Sequence, residues 1–403
     1  MSQHYDHLLA GGGCAGLAMA CQLRAQLGPE ARILVVDRDA KDQNDRTWAF
    51  WSREQLPLDL DKIVRHRWSE VHFGAPGWNR TQSIDPYRYQ LIDGLDYYQH
   101  LRAQLSQSPN THFLQAEITR LGEDDNGPWA EIGGKSYRAD WIFDSRVRAD
   151  ETALSDSNAY FLWQHFRGWR IKVDRPCFNP EVATLMDFSV NESGDPTFLY
   201  CLPFSETEAL VEFTAFTAEL WKTEVYDQQM ADYLKQRFGP IQYSILEEEE
   251  GKIPMTDLDL PDRSFQRIRS IGTAGNAVKP TTGYAFLRIQ EQARAMVEEL
   301  VRTGDISHAQ QPKDRWRWYD HLLLYLLQYH PKRSRDIFTS LFRRQPYTRI
   351  LRFLDENSKW WEEVLIFKDL PVTWFLEAAW KHQLRKGSRW TKAPHLRKKT
   401  HYG

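Results

Sequence analysis

Three glycines near the start of the chain have the spacing of a nucleotide-binding turn. Gly11, Gly13 and Gly16 fit the pattern G-x-G-x-x-G, directly after a short apolar segment and before a stretch of helical composition. Glycines at these positions allow a tight turn, close approach of a pyrophosphate and close packing of a helix on a strand. Free N–H groups and the positive dipole end at the helix start attract phosphate. The motif therefore predicts a dinucleotide site.

Two further features indicate which dinucleotide binds. Asp37 follows Gly16 by twenty-one residues, at the end of an apolar run, where it can accept hydrogen bonds from a ribose diol; the alternative is a solvated acid at a strand end. A second glycine loop, containing Gly272, Thr273 and Gly275, occurs late in the chain. An N-terminal motif paired with a late glycine loop is how flavoproteins with one nucleotide domain hold both ends of FAD. The pattern therefore favours FAD over NAD.

A glutamate inside an apolar segment is the candidate acid. Glu212 lies among Leu210, Val211 and Phe213. Burial among apolar side chains disfavours the charged form of a carboxyl group and raises its pKa, so such a residue can stay protonated near neutral pH and donate a proton. In a strand, Glu212 shares a face with Leu210 and Thr214. The alternative is an acid on the exposed face of a surface strand.

The elements that must position these residues indicate an α/β fold. The first glycine turn lies between two apolar strand-like segments, which makes a βαβ unit. We expect a discontinuous Rossmann-like FAD domain of glutathione-reductase type, formed by residues 1–80 and 265–310 with parts of 85–150. Residues 151–264 are rich in strands and predict an inserted antiparallel sheet that binds the substrate. Residues 311–403 are helical, aromatic and basic in composition.

Bulk properties exclude several classes of function. The net charge of −3 offers no general attraction to a polyanion, so we expect no nucleic-acid partner. The four cysteines have no metal-ligand spacing, and no metal site is expected. The chain starts without a charged and then apolar signal segment, which favours a reducing cytoplasm. Its longest apolar runs, such as Leu322 to Leu327, fall far short of the roughly 20 residues of a spanning helix.

Aromatic residues are unusually frequent. They make up 13% of the chain, and 16 of them are tryptophans. One interpretation is a large core with an aromatic bias. The other is a pocket for a long apolar or cationic species, because the faces of aromatic rings carry negative electrostatic potential.

Three segments carry a resemblance to a known family. They are Asp45–Trp51 (DRTWAFW), Pro203–Thr214 (PFSETEALVEFT) and Gly275–Phe286 (GNAVKPTTGYAF). With Pro86–Tyr89 and the helix that follows it, they make the chain resemble the bacterial lycopene β-cyclases, within the flavoprotein lycopene cyclase family, up to about residue 300. The Lys-Pro-Thr-Thr-Gly-Tyr string is the most specific piece.

The resemblance implies a reaction and a cofactor. These enzymes convert lycopene through γ-carotene to β-carotene without net oxidation, and they require reduced FAD, with NAD(P)H as its reductant. Glu212 occupies the position of the essential glutamate that protonates the terminal double bond. Many related flavoproteins have Gly-Asp where this chain has Gly272-Thr273. The resemblance also implies that other carotenoids with the same linear end group are candidate substrates.

The same resemblance assigns further site residues. The loop residues Lys279, Pro280, Thr281, Thr282 and Gly283 are expected at the cofactor. Lys279 either contacts the negative end of the flavin or is a solvated loop charge. Gly283 is free to adopt φ > 0, and Pro280 shapes the loop. Three aromatic residues are candidates either for a dry pocket that stabilises a carbocation or for ordinary core packing: Trp48, Trp51 and Tyr284.

The C-terminal region predicts contact with a membrane surface. Lycopene is a bilayer-dwelling substrate, and Leu370–Trp380 is a helix-like stretch rich in interfacial aromatics. Residues 381–403 contain eight Lys/Arg residues and no acid. An aromatic segment beside a basic tail suits anionic headgroups, which places the protein on the cytoplasmic side as a peripheral membrane protein. The alternative is an ordinary core helix with a disordered basic tail.

Two other functions are compatible with the sequence. A prenyl-chain reductase or aromatic hydroxylase with the same fold would consume NAD(P)H stoichiometrically. A non-catalytic, flavin-bearing carotenoid binder would be insensitive to the loss of Glu212.

Overall fold

The computed structural model of the chain describes residues 3–146, 159–189, 196–258, 265–306 and 314–391. Strands β1–β17 and helices α1–α9 are numbered along the chain. The strands form three sheets, and helices pack on them. This mixed architecture confirms the predicted α/β fold.

The first sheet carries the nucleotide motif. Its central strands β1, β2, β8, β11 and β17 pair in parallel, and β9 and β10 add an antiparallel edge. Parallel strands are buried on both faces, which explains the apolar run of β2 and the apolar end of β1. The strands are β1 (Gln3–Ala10), β2 (Ile33–Asp37), β8 (Thr111–Gln115), β9 (Ile118–Asp124), β10 (Gly127–Ile132), β11 (Lys135–Asp144) and β17 (Ile268–Ser270).

Three helices cover this sheet. Helix α1 is buried from Cys14 to Leu23 because its neighbouring helices cover the side that faces away from the strands. It begins at Cys14, inside the glycine motif and between Gly13 and Gly16. The helices are α1 (Cys14–Leu27), α2 (Gly94–Leu105) and α4 (Phe286–Thr303).

The second sheet has seven strands in the order β16-β12-β15-β14-β13-β5-β6, and only β13 and β5 pair in parallel. It contains the strand-rich middle of the chain, but also residues 70–83, part of which we had expected in the FAD domain. Strand β5 joins β13 across more than a hundred residues of sequence. The strands are β5 (Glu70–Ala75), β6 (Trp78–Ser83), β12 (Phe161–Val173), β13 (Val182–Asp187), β14 (Thr197–Pro203), β15 (Glu208–Thr217) and β16 (Tyr243–Thr256).

A small third sheet connects the two larger ones. Its strands are β3 (Thr47–Ser52), β4 (His66–Trp68) and β7 (Arg88–Asp93), in the order β3-β7-β4. Because side chains alternate along a strand, β3 has two different faces. Phe50 joins the core beneath the first sheet, whereas Trp51 joins the core beneath the second.

Helices cover both faces of the second sheet. Helix α3 (Thr223–Phe238) packs on one face, and the C-terminal helices share a core with the other, where Phe342 stacks on Phe73 at 4.4 Å. Among the described residues, no helix has the length and apolarity needed to span a bilayer. The predicted basic tail lies mostly outside the described residues. The C-terminal helices are α5 (Asp314–Tyr329), α6 (Pro331–Arg344), α7 (Tyr347–Leu354), α8 (Trp360–Phe367) and α9 (Val372–Thr391).

Candidate functional site

The first glycine turn has the geometry of a phosphate cradle. A Cβ on Gly16 would lie 1.8 Å from the carbonyl oxygen of Gly11, so only glycine lets α1 pack this closely on β1. A Cβ on Gly13 would meet no atom within 4 Å, which leaves open space beside the turn. Gly13 is the N-cap of α1 and has no side chain to cap it. The first N–H groups of the helix are therefore available to an anion.

Asp37 organises the same turn. Its Oδ2 accepts a hydrogen bond from the N–H of Gly12 at 2.7 Å, and its Oδ1 accepts one from the N–H of Asp39 at 2.8 Å. The carboxylate is half-buried. Each of its oxygens can accept a second bond, so Asp37 can both fix the turn and bind a hydroxyl group of a ligand.

The second glycine loop packs against the start of α1. Gly272 has φ +63°, and a Cβ there would lie 2.6 Å from the Cβ of Ala15. Gln292 of α4 bridges the loop: its Oε1 accepts from the N–H of Gly272 at 2.8 Å, and its Nε2 donates to the carbonyl of Gly275 at 2.7 Å. The half-buried Thr273 lies within the bridged turn. The two predicted glycine loops are thus neighbours, and Gln292 is a positioning residue that sequence analysis did not identify.

The loop from Lys279 to Tyr284 is closed on itself and abuts the second sheet. The N–H of Lys279 donates to the carbonyl of Tyr284 at 3.0 Å, and the N–H of Gly283 donates back to the carbonyl of Lys279 at 3.0 Å. Gly283 has φ +70°, and a Cβ there would lie 2.2 Å from Oε1 of Gln164 on β12. The predicted positive φ is confirmed. The close approach of Gln164 is a second reason why this position requires glycine. Pro280 and Thr282 complete the turn, both half-buried.

Lys279 is buried, so the alternative of a solvated loop charge is wrong. Its ammonium lies 2.9 Å from Oε1 of Glu356 and 3.1 Å from Oδ1 of Asp320, and the hydroxyl of Thr281 also donates to Asp320, at 2.7 Å. Lys279 and Thr281 therefore anchor the loop to α5 and to the turn after α7. Contact of Lys279 with a flavin remains a proposal.

The structure brings together two of the three candidate pocket aromatics. Trp51 meets Tyr284 edge-on, with 4.3 Å between ring centroids. Trp48 is on the opposite face of β3, where it packs on Phe286 at 5.5 Å, so it does not share a pocket wall with the other two. The reason is strand alternation, since positions 48 and 51 differ by an odd number. Nε1 of Trp48 is buried and has no hydrogen-bond partner among the described residues.

A cluster of tyrosines lies beside Tyr284. The hydroxyl of Tyr89, on β7, is 3.2 Å from that of Tyr284 and also contacts that of Tyr200, on β14. All three are inside the protein, and each comes from a different part of the fold. The cluster joins the loop from Lys279 to Tyr284, the third sheet and the second sheet at one point.

Glu212 lies next to this cluster. It pairs across β14–β15 with Tyr200 and across β12–β15 with Gly168, and Gly168 in turn pairs with Glu249 on β16. Side chains in one such row point to the same face of the sheet. The row therefore presents a tyrosine and two glutamates towards the third sheet, where the hydroxyl of Thr47 donates to Oε2 of Glu249 at 2.7 Å.

Glu212 has the environment of a protonated acid. Burial raises its pKa well above the ordinary carboxyl value, and the Glu249 carboxyl raises it further, while the hydroxyl of Thr214, which donates to Oε1 at 2.8 Å, lowers it. Burial also raises the pKa of Glu249. Glu212 keeps some accessible surface although it lies deep in the molecule, as expected of a cavity-lining residue. The predicted face shared with Thr214 is confirmed, and the surface-acid alternative is wrong.

Known proteins of one family resemble this chain over most of its length. A family model described as lycopene cyclase protein matches residues 6–379. A lycopene beta-cyclase of Pantoea ananas is 26% identical over 79% of this chain and 81% of its own length. A chloroplastic lycopene beta cyclase of Arabidopsis thaliana is also 26% identical, over 75% of this chain and 61% of its own length.

Solved structures share the fold. A flavin-dependent brominase superposes with a TM-score of 0.60 at 13% identity, covering 87% of this chain and 93% of its own. A geranylgeranyl bacteriochlorophyll reductase-like protein from Thermoplasma acidophilum gives a TM-score of 0.59 at 11% identity, covering 94% and 96%. At such identities the likeness concerns the fold alone.

Proposed function

This chain belongs to the lycopene cyclase family, and we propose that it is a lycopene β-cyclase that converts lycopene through γ-carotene to β-carotene. The observation that carries the proposal is the position of Glu212. This glutamate is buried beside aromatic rings, no cation forms an ion pair with it within the described part of the chain, and its pKa is raised. Such a residue is an acid that remains protonated at neutral pH.

The reaction needs one proton at the start and releases one at the end. Glu212 donates a proton to the terminal double bond, the neighbouring double bond attacks the resulting tertiary carbocation, and loss of a proton from the new ring leaves the β-ionone end. The aromatic rings of Trp51 and Tyr284 exclude water, which would trap the cation, and offer it the negative faces of their π-systems.

We propose FAD as the cofactor. The open space at Gly13, the uncapped start of α1 and the position of Asp37 fit a pyrophosphate and a ribose. Among the described residues, the buried Nε1 of Trp48 has no hydrogen-bond acceptor, so it can donate to a ligand. The predicted loop residues from Lys279 to Gly283 lie between these elements and the second sheet. When bound in its NAD(P)H-reduced form, FAD supplies negative charge that stabilises the carbocation, without entering the electron balance.

We further propose that the protein docks on the cytoplasmic membrane surface through α9. Val372, Leu376, Trp380 and Leu384 recur at intervals of four residues and are 49 to 67% exposed, whereas Ala378 of the same helix is fully buried. Residues four apart lie on one side of a helix, so these four form an apolar stripe that faces away from the protein. Such a stripe beside a basic segment suits an anionic bilayer, from which lycopene must be taken.

Pigment analysis of a lycopene-accumulating bacterium tests the reaction. Expression of the wild type should yield β-carotene, whereas Glu212→Gln should leave lycopene unchanged while retaining FAD. The matched control is Glu206→Gln, an exposed glutamate of the preceding turn, which should behave as wild type. Unchanged lycopene with folded, FAD-loaded wild-type protein would refute the cyclase.

The competing functions have their own signatures. Oxidation of one nicotinamide per product molecule would indicate a reductase or hydroxylase. Pigment binding that is identical in wild type and Glu212→Gln, without any conversion, would indicate a non-catalytic carotenoid binder.

Vesicle sedimentation tests the membrane proposal. The Leu376→Ser, Trp380→Ser double variant should bind vesicles of phosphatidylglycerol and phosphatidylcholine much more weakly than the wild type. Val301→Ser, which removes an exposed apolar residue of α4, is the control and should bind normally. Equal binding by all three proteins would exclude α9 as the docking element.

A further inference from the structure

Two carboxyl groups flank a glycine in the middle of the second sheet. Glu212 on β15 and Glu249 on β16 both pair with Gly168 of β12, which lies between them. With neighbouring strands about 4.8 Å apart, their Cα atoms are separated by roughly 10 Å. Gly168 itself contributes no side chain between them, and Cδ1 of Leu210 borders the same space, 3.3 Å from where a Cβ of residue 168 would lie. The row is therefore Glu, Gly, Glu across three adjacent strands.

The glycine lets one glutamate extend towards the other. A Cβ on Gly168 would lie 3.2 Å from Cγ of Glu249 and 3.4 Å from its Oε1, so the Glu249 side chain lies over the glycine backbone on the side of Glu212. Any larger residue at position 168 would occupy this path. The geometry brings the two carboxyl groups together instead of merely placing them in one row.

Glu249 differs from the other acids of its own strand. Glu247, Glu248 and Glu250 each pair with an arginine of β12, at 3.0, 2.7 and 3.7 Å. Within the described residues, no cationic side chain forms an ion pair with Glu249, whose only hydrogen-bond donor there is the hydroxyl of Thr47 at 2.7 Å. The other three glutamates of this run each form an ion pair with an arginine, whereas Glu249 interacts with a second carboxyl group, that of Glu212.

Other titratable groups around the pair are neutral or negative. Apart from each other, Glu212 and Glu249 interact electrostatically with four titratable groups: Tyr200 of β14, Tyr284 at the end of the loop from Lys279, Asp93 at the end of β7 and Glu247 of β16. None of these favours ionisation of either glutamate. Two carboxyl groups in such surroundings do not both ionise at neutral pH, because the second negative charge would be placed beside the first in a poorly solvated site.

We propose that Glu212 and Glu249 share a single proton, with Glu249 as the positioning residue that keeps Glu212 protonated and drives the return of the proton after cyclisation. The inference rests on the proposed function. In the first step the O–H bond of Glu212 breaks and a C–H bond forms on the terminal alkene carbon. In the last, a ring C–H bond breaks, its electrons form the ring double bond, and the proton goes to the carboxylate pair. The pair is doubly charged only between these steps.

The pH dependence of turnover tests the role of Glu249. Activity requires protonated Glu212, so it falls as the pH rises through the pKa of that group. Glu249→Gln retains the size of the side chain and an acceptor for Thr47 but removes the like charge, so the pKa of Glu212 falls. We expect the alkaline limb of the lycopene-conversion profile to move down by about one pH unit or more, while activity at acidic pH is retained. Glu250→Gln, on the opposite face of the same strand, is the matched control.

A second measurement does not depend on activity. A carboxyl group whose pKa is raised in the folded state makes the protein less stable as the pH rises from the ordinary carboxyl pKa to the raised one. The wild type should therefore lose stability towards urea over this range. Glu249→Gln and Glu212→Gln should each remove a large part of that loss, because each leaves a single buried carboxyl group without a like charge beside it. The double variant should remove less than the sum of the two single variants. Glu250→Gln should keep the wild-type slope.

The two measurements separate failure of this inference from failure of the proposed function. A wild type that converts no lycopene but shows the non-additive pH dependence of stability would overturn the cyclase assignment and leave the shared proton standing. A Glu249→Gln enzyme with an unshifted pH profile and a wild-type stability slope would overturn the shared proton. If Glu249→Gln does not fold, Glu212→Gln alone must still remove a large part of the slope, and a wild-type slope in that variant refutes the pair.

Discussion

Lys279 is the buried cation that holds the loop from Lys279 to Tyr284 in position. It is 5% exposed and Asp320 is 6% exposed, and Arg288 joins the same cluster through Glu356 at 3.0 Å. The cluster thus contains two cations and two anions and is neutral. Within the described part of the chain, Lys279→Met would leave Asp320 with only the hydroxyl of Thr281 as a partner.

The expected cost follows from the geometry. At 3.1 Å, with an effective dielectric constant near 20, one such pair has an attraction of about 5 kcal/mol. Desolvation of the ammonium offsets part of this attraction. Removal of one member of a buried pair typically costs about 3–5 kcal/mol, because it leaves an uncompensated buried charge. We expect Lys279→Met to lower the free energy of unfolding by that amount, and Asp320→Asn to lower it comparably.

Urea unfolding followed by tryptophan fluorescence measures these costs. The double variant Lys279→Met, Asp320→Asn should lose clearly less than the sum of the single variants, because it leaves no orphaned charge in that pair. Lys62→Met, which removes an exposed ion pair with Asp59, should change stability by less than about 0.5 kcal/mol.

Two outcomes would refute this reasoning. A Lys279→Met protein that unfolds at the wild-type urea concentration would show that the cluster contributes no stability. Full additivity of the two substitutions would show that the two side chains do not interact. If instead Lys279→Met leaves the FAD-free protein as stable as wild type and lowers only its affinity for FAD, the lysine acts on the flavin.

Four other substitutions have defined outcomes. Gly13→Ala should fold normally, since the new Cβ meets no atom within 4 Å, but it should bind FAD poorly. Gly16→Ala places a Cβ 1.8 Å from a carbonyl oxygen and should disturb the fold itself. Thermal unfolding combined with flavin absorbance distinguishes the two effects. Gly283→Ala should lose activity because it strains a φ of +70° and collides with Gln164; a fully active variant would contradict this. Burial lowers the pKa of His7 from 6.5 to about 4, so the protein loses stability as the pH falls through this range. His7→Phe should reduce the loss of unfolding free energy between pH 7 and 5 by about 2 kcal/mol. Urea midpoints at both pH values measure this difference.

The local parts of the site could be predicted from sequence. The turn from Gly11 to Gly16 works through residues within a few positions of one another, so its spacing alone defines it. Glu212 was identifiable because its own neighbours on the strand are apolar, which indicates burial. The positive φ of Gly283 was foreseen for a similar reason, as it depends on one residue and its turn.

The partners of these residues could not be predicted. Glu249 contacts Thr47 across 202 positions, and Lys279 reaches Asp320 and Glu356 across 41 and 77 positions. Such pairings depend on strand order and helix docking, which local periodicity does not encode. The four consecutive glutamates of β16 are alike in sequence, and only the register with β12 shows that one of them differs from the rest.

The separation of the candidate residues between two sheets explains how a fold that is also found in a flavin-dependent brominase could host the proposed proton-transfer reaction. The glycine loops that fit a dinucleotide belong to the first sheet and its helices, whereas the row of Tyr200, Glu212 and Glu249 belongs to the second. A substitution in one of these two regions should therefore leave the property of the other region intact. Glu212→Gln should retain flavin absorbance without activity, and Gly13→Ala should lose flavin while keeping the stability slope of the two carboxyl groups. Joint loss of both properties in either variant would mean that acid and cofactor site form one cooperative unit.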